Sequence, residues 1–199
     1  MQSRPRSRSE RFACLLALCA TAAAAIAADA PQLRAGVFDP PRMAPEFTLR
    51  GSDGGELALS RFRGKVVILG FGFTTCPDVC PTTLATLASA HKKLGEQGSE
   101  VQVVYVTVDP ERDDPERLRS YLKNFDPTFL GATGSAEQLE AVRNEYGIAA
   151  QRIARGDSYA FSHSSYTYLI DRAGRLRALM PYGSSADAYV HDLLILLAP

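Results

Sequence analysis

The stretch from Lys65 to Leu84, KVVILGFGFTTCPDVCPTTL, joins a continuous apolar run to two cysteines that are each followed by a proline. An uninterrupted apolar run such as VVILGFGF is typical of a strand covered on both faces, so we predict the central strand of a buried sheet. After CPDVCP the apolar positions recur at helical spacing, which predicts a helix from about Pro81 to Glu96. The two cysteines therefore lie at a strand-to-helix junction.

Strand and helix patterns continue on both sides of this junction. Upstream, GSDGG at residues 51–55 separates two short alternating segments and predicts a β-hairpin. Downstream, EVQVVYVTVD predicts a second buried strand, Asp114 and Ser135 are expected to begin two helices, and Gly147 is expected to end the second. Two strands around the turn DRAG at residues 171–174 and a closing helix complete the order. This order predicts an α/β thioredoxin-like fold, with a central mixed sheet flanked by helices and an extra N-terminal β-hairpin.

The first 28 residues have the pattern of a targeting segment. Four arginines against one glutamate precede an alanine-rich apolar stretch with small residues suited to signal-peptidase cleavage. Residues 12–28 also approach the lower limit of the roughly 17–25 residues that span a bilayer, so an uncleaved anchor is the alternative. We predict a signal peptide or membrane anchor over 1–28, a flexible lead-in over 29–43 and one domain over 44–199. The expected location is the periplasm, as a soluble protein or one tethered to the outer face of the inner membrane.

The composition of the remaining chain limits its partners and its cysteine chemistry. Without residues 1–28 the chain has 18 basic and 21 acidic residues, a net charge of −3, so we expect no nucleic-acid partner. Cys14 and Cys19 belong to the leader, which leaves Cys76 and Cys80 for the domain. A close cysteine pair in an oxidising compartment is structural, redox-active or metal-binding.

The spacing of Cys76 and Cys80 favours metal binding among these roles. Pro81 favours the first helical position, so Cys80 is expected at or near the helix N-cap, where the helix dipole lowers a thiol pKa. A turn between the cysteines would bring their Cα atoms to roughly 6 Å, within disulfide range. A structural zinc site needs about four ligands, and the domain has no cysteine besides Cys76 and Cys80 to supply them. Thiol-disulfide oxidoreductases usually have two residues between their cysteines, whereas three residues separate Cys76 from Cys80. Copper fits best, because Cu(I) prefers thiolates and one added imidazole also accommodates Cu(II), while a redox-active pair and a structural disulfide stay open.

A copper site of this kind needs a histidine, and the sequence offers three. His91 lies about three turns along the predicted helix, some 16 Å from Cys80. His191 falls in the closing helix and is expected to pack at its flank. His163 precedes the strand from Tyr166 to Ile170, which in a thioredoxin-like fold begins close to the first long helix. We therefore expect His163 to complete the site, with a hydrogen-bonding loop histidine as the alternative.

Three motifs in this order resemble the Sco/SenC family of copper chaperones for cytochrome c oxidase: GFTTCPDVCPTTL, VTVDPERDDPERLRSYLKNFDPTFLGATG and FSHSSYTYLID. The resemblance covers residues 44–197. It implies a domain that binds Cu(I) and Cu(II) through Cys76, Cys80 and His163 and assists assembly of the CuA centre in oxidase subunit II. It also implies a metallochaperone rather than an enzyme, with a periplasmic copper donor, a thiol reductant, and subunit II or another copper enzyme as partners.

The same resemblance leaves a second function open and marks one departure from the family. The alternative is a thiol-disulfide reductase that reduces the cysteines of the oxidase copper site through Cys76 and Cys80. Ser162 stands where many members have an aspartate, which could orient the neighbouring imidazole.

Within DPERDD, residues 109–114, we expect Asp114 to cap a helix and the other charges to be solvated.

Overall fold

The structure of the protein is a computed structural model that describes residues 32–198. The strands are β1 (Gly36–Met43), β2 (Thr48–Gly51), β3 (Glu56–Ala58), β4 (Val66–Gly72), β5 (Val101–Thr107), β6 (Leu130–Thr133), β7 (Ala150–Arg155), β8 (Ser158–His163), β9 (Tyr166–Ile170) and β10 (Arg175–Pro181). The helices are α1 (Val79–Lys93), α2 (Pro115–Leu122), α3 (Ala136–Tyr146) and α4 (Ala186–Leu197), with short 3-10 helices at Leu59–Phe62 and Gly95–Glu100. The predicted mixed α/β fold is confirmed.

The central sheet is built around β4, as the apolar run predicts. Its strand order is β1-β10-β9-β4-β5-β6-β2-β3, with β4, β5 and β6 parallel and the other pairs antiparallel. Every residue of β4 is buried, and Ile68 lies between Val103 on β5 and Leu169 on β9. The predicted N-terminal hairpin is also confirmed, since β2 and β3 pair across residues 51–55.

Local signals place the helix ends where the sequence predicts them. The Asp114 carboxylate accepts the Arg117 N–H at 2.7 Å and begins α2. Ser135 forms a capping box with Gln138 at the start of α3, and Gly147 ends that helix in a left-handed conformation at φ 68°. Such caps act within one helical turn, which is why sequence alone identifies them.

The prediction of a flexible lead-in is wrong for residues 36–43, because they form strand β1 and pair with β10. The strand is largely exposed and shows no apolar alternation, so its partner more than a hundred residues away determines its structure. The hairpin of β7 and β8, which forms a separate two-stranded sheet, was also not predicted. The predictions for residues 1–28 lie outside the described part of the chain. Between residues 32 and 198, no helix combines the length and apolarity needed to cross a membrane.

A buried carboxylate on α4 holds the chain just before β1. Asp192 is fully buried, and its two oxygens accept the N–H groups of Arg34 at 2.8 Å and Ala35 at 3.0 Å. The same carboxylate lies 2.9 Å from the Nδ1 atom of His191. This contact fixes where the chain joins the sheet.

We expect Asp192→Ala to lower the free energy of unfolding by about 1–3 kcal/mol, because two backbone N–H groups lose their acceptor. Chemical denaturation would measure this loss, and limited proteolysis should show earlier cleavage before β1. Asp187→Ala on the same helix is the matched control, since its exposed carboxylate pairs only with Lys93 and its loss should leave stability unchanged. Equal stability of the two variants would contradict the role of Asp192.

Candidate functional site

The two cysteines occupy different environments at the junction of β4 and α1. Cys76 lies half-buried in the loop after β4, whereas Cys80 is buried as the second residue of α1. The backbone N–H of Cys80 donates to the Cys76 sulfur at 3.4 Å, so the loop folds back over the helix N-terminus. The two cysteines do not form a disulfide. The helix N-cap is Asp78 rather than Cys80, because α1 begins two residues earlier than predicted.

The lowered thiol pKa belongs to Cys76 and not to Cys80, which corrects the prediction from the sequence. A hydrogen bond from the Cys80 thiol, helped by the backbone N–H groups of Asp78 and Cys80, lowers the pKa of Cys76 to about 5 against the effect of burial. The same hydrogen bond, in which Cys80 is the donor, and burial raise the pKa of Cys80 above its ordinary value. The helix N-terminus therefore stabilises an anion on the loop cysteine.

His163 reaches the cysteines from the end of β8. Its Nε2 atom lies 3.7 Å from the Cys80 sulfur. Its Nδ1 atom lies 2.8 Å from the Ser164 carbonyl oxygen, which can only accept, so Nδ1–H is the donor in this hydrogen bond and Nε2 is the ring atom that faces the sulfur. Phe73 packs edge-on against the imidazole with ring centroids 5.9 Å apart. The histidine chosen from the sequence therefore contacts the cysteine site.

The other two histidines make separate contacts. His91 lies between the Asp126 carboxylate and the Gly98 carbonyl oxygen, each 2.9 Å from a ring nitrogen. His191 contacts Asp192 on α4. Among residues 32–198, no group of three or more His, Cys, Asp and Glu side chains is already arranged to hold a metal ion. Cys80 thus contacts each of the other two predicted ligands, Cys76 and His163.

The expectation that most of the DPERDD charges are solvated is wrong for Asp109 and Asp113, which are both buried. Asp113 accepts the Thr74 N–H at 3.0 Å and the Thr107 hydroxyl at 2.7 Å, so it ties the cysteine loop to the end of β5. Burial raises the pKa of Asp109, although the Tyr159 hydroxyl donates to it at 2.9 Å. Asp113 therefore positions the cysteine loop, whereas Asp109 contacts Tyr159 on β8.

Arg112 links the cysteine loop to the hairpin that carries His163. Its guanidinium donates to the Thr75 hydroxyl at 3.1 Å and to the Tyr159 carbonyl oxygen at 3.0 Å. It also stacks on the Tyr159 ring at 3.5 Å from the centroid, and Arg152 stacks on the same ring at 3.6 Å. Sequence reasoning missed this link, since its partners lie 37 and 47 residues away and leave no local pattern.

The wall behind Cys80 is formed by Tyr105 on β5. The residue is 2% exposed. Burial raises the pKa of its phenol well above the ordinary value, and the adjacent Cys80 raises it further. The phenol is therefore protonated throughout the neutral pH range. No sequence signal pointed to this residue, because it occupies an ordinary inward position of a buried strand.

We expect alkylation of Cys76 by iodoacetamide to be half-maximal near pH 5 and to level off above it, because the thiolate is the nucleophile and the folded pKa is about 5. The rate would be followed by mass spectrometry of the cysteine-containing peptide. Cys80→Ala removes the thiol donor, so its midpoint should move to higher pH. A wild-type midpoint at the ordinary thiol value would contradict the proposed stabilisation by Cys80.

Comparison with known proteins identifies the family of the chain. The family model described as SCO1/SenC matches residues 37–198. The SCO2-like protein RP587 of Rickettsia prowazekii is 37% identical over 132 residues, which cover 65% of this chain and 64% of the relative. The match thus spans slightly less than two thirds of that relative's length.

Solved structures show the same similarity at the level of the fold. The crystal structure of Arabidopsis thaliana ScoI with copper bound has a TM-score of 0.72 and 32% identity, covering 78% of this chain and 97% of that one. The solution structure of apo Sco1 from Thermus thermophilus has a TM-score of 0.75 and 39% identity, covering 83% and 97%. These matches confirm the predicted thioredoxin-like fold. With its cysteine pair, its histidine and a family match that spans nearly the whole described domain, the chain belongs to the SCO1/SenC family.

Proposed function

We propose that the protein is a copper metallochaperone, not an enzyme, that binds Cu(I) through Cys76 and Cys80, binds Cu(II) with His163 as a further ligand, and assists assembly of the CuA centre of cytochrome c oxidase. The observation that carries the proposal is the contact between the Cys80 sulfur and His163 Nε2 at 3.7 Å, beside the Cys76 sulfur. The structure of the Arabidopsis relative with copper bound supports copper as the metal.

The donor set fits copper chemically. Two thiolates in low coordination suit Cu(I), and an imidazole nitrogen extends the set to Cu(II). Cys76 is already a thiolate at neutral pH, whereas Cys80 releases its proton when the metal binds. His163 offers a free Nε2 lone pair because Nδ1–H is held by Ser164. Stepwise exchange of these ligands for those of the partner would transfer the metal.

The departure at Ser162 is compatible with this role. Ser162 is exposed and does not hold the imidazole. The Ser164 carbonyl oxygen orients the ring of His163 instead, at 2.8 Å from Nδ1. A neutral carbonyl raises the basicity of a metal-binding imidazole less than a carboxylate does, so His163 is a weaker ligand than it would be with an aspartate as its partner.

The proposed setting is the periplasm, with residues 1–28 as a signal peptide or membrane tether and the copper site on the domain that follows. The pattern of four arginines and an apolar stretch in the leader supports export. The proposed partners are a periplasmic copper donor, a thiol reductant that keeps Cys76 and Cys80 reduced, and oxidase subunit II or another copper enzyme as acceptor.

We expect the reduced protein to bind one equivalent of Cu(I) in an anaerobic competition titration. Cys76→Ala and Cys80→Ala should each lower the affinity by more than the roughly 10–100-fold loss typical of a change outside the ligand set. His163→Ala should retain Cu(I) and alter the thiolate-to-Cu(II) charge-transfer band. His191→Ala, which removes a histidine remote from the cysteines, is the control and should behave as wild type. Full copper binding by either cysteine variant would overturn the proposal.

A second candidate function is thiol-disulfide reduction of the partner's cysteines, and the unequal pKa values of the two thiols favour it. The Cys76 thiolate would attack a partner disulfide, form a mixed disulfide and release one partner thiolate. Cys80, after losing its proton, would then attack the Cys76 sulfur and release the second partner thiolate. The partner gains two electrons, and a Cys76–Cys80 disulfide forms that a thiol reductant must reduce.

We expect the copper-free Cys80→Ala variant to accumulate a mixed disulfide with an oxidised dithiol peptide if this second function operates, because the resolving thiol is absent. Non-reducing mass spectrometry would detect the adduct, and Cys76→Ala is the control that should form none. Absence of the adduct in Cys80→Ala, together with tight copper binding by wild type, would exclude thiol reduction and favour copper transfer.

A further inference from the structure

Tyr105 differs from the buried residues Tyr146, Tyr168 and Tyr189 in that its hydroxyl has no hydrogen-bond partner, a feature that it shares with the half-buried Tyr121. Tyr146 donates to the Pro45 carbonyl oxygen at 2.7 Å, and the Tyr189 hydroxyl pairs with Thr167 at 2.7 Å. The Tyr105 hydroxyl oxygen is buried and has no partner at hydrogen-bonding distance, and the Cys80 thiol is the polar group beside it. Leaving a buried hydroxyl unpaired costs free energy, so an orphan of this kind requires an explanation.

The orphan hydroxyl lies at the copper site proposed above. Tyr105 pairs in register with Gly70 on β4, and its ring runs along the strand towards Gly72. A Cβ atom placed on Gly72 would lie 1.8 Å from the Tyr105 hydroxyl oxygen and 2.8 Å from the Cys80 sulfur. The Tyr105 hydroxyl oxygen and the Cys80 sulfur therefore both lie next to the space that a side chain on Gly72 would occupy, and the absence of that side chain leaves room for them.

The chemistry of copper ligation gives this hydroxyl a partner. Cysteine binds copper as a thiolate, so the buried sulfur of Cys80 carries a negative charge when the metal is bound. A buried anion needs hydrogen-bond donors, and a phenol is protonated at neutral pH and can supply one.

We propose that Tyr105 is a positioning residue of the copper site that donates a hydrogen bond to the Cys80 thiolate when the metal is bound. This inference rests on the proposed copper-binding function. The hydroxyl is held beside the sulfur by β5 before the metal arrives, so no rearrangement of the buried ring is needed. In the metal-free protein the hydroxyl has no hydrogen-bond partner, and this arrangement therefore costs free energy of folding.

A hydrogen bond to a copper-bound thiolate has a defined chemical effect. It withdraws electron density from the sulfur, which weakens thiolate donation to Cu(II) and favours the reduced metal. Tyr105 would therefore stabilise Cu(I) relative to Cu(II) at this site. Removing the hydroxyl alone should lower the Cu(I) affinity and shift the thiolate-to-Cu(II) charge-transfer band to lower energy.

The test compares Tyr105→Phe with wild type and with Tyr146→Phe. Anaerobic competition titration with Cu(I), the absorption spectrum of the Cu(II) form and thermal unfolding of the metal-free protein would be measured for each. Tyr105→Phe should bind Cu(I) about 10-fold more weakly, with a red-shifted band and a melting temperature no lower than that of wild type. Tyr146→Phe loses a satisfied hydrogen bond away from the cysteines, so it should unfold earlier and bind copper normally.

The outcomes separate this inference from the proposed function. If wild type binds copper and Tyr105→Phe has the same Cu(I) affinity and the same thiolate-to-Cu(II) charge-transfer band, the role of Tyr105 is overturned and the proposed function stands. Wild type that binds no copper would overturn the proposed function, and the inference with it. A Tyr105→Phe variant that is destabilised to the same extent as Tyr146→Phe and unchanged in its copper spectrum would show a purely structural hydroxyl.

Discussion

The pairing of β4 with β5 on one side and β9 on the other is the constraint on which the site depends. β4 and β5 run parallel, so the cysteine loop after β4 and the acidic motif after β5 emerge at the same edge of the sheet. β9 is antiparallel to β4, so its beginning, just after His163, lies at that edge too. Cys80 and His163, which are 83 residues apart in the sequence, thus meet at one edge of the sheet.

Polar side chains, one of them the buried Asp113, hold these segments together once the sheet has brought them to one edge. Asp113 anchors the cysteine loop through Thr74, and Arg112 connects that loop to the hairpin carrying His163. The carboxylate has no solvent to satisfy it, so its hydrogen bonds are geometrically demanding and fix the loop. The acidic motif therefore serves the site indirectly, by positioning the cysteines.

The asymmetry between the two cysteines follows from the same packing. The helix N-terminus and the Cys80 thiol both donate to the Cys76 sulfur, whereas Cys80 lies in the apolar interior beside Tyr105. Cys76 is ionised and accessible, whereas Cys80 keeps its proton until metal binding or a reaction step removes it. This division suits sequential chemistry, whether the incoming group is a metal ion or a disulfide.

Much of this architecture was accessible from sequence because its signals act over short distances. Apolar periodicity identified β4 and α1, and caps at Asp114 and Ser135 identified helix starts, since each depends on residues within a turn or two. Strand β1, the β7–β8 hairpin, the burial of Asp113 and the orphan hydroxyl of Tyr105 left no such pattern. The sequence by itself determined the fold class and the residues available for the site. Only the tertiary structure decided which thiol is ionised and what surrounds it, because pKa values and hydrogen bonds depend on groups brought together from distant parts of the chain.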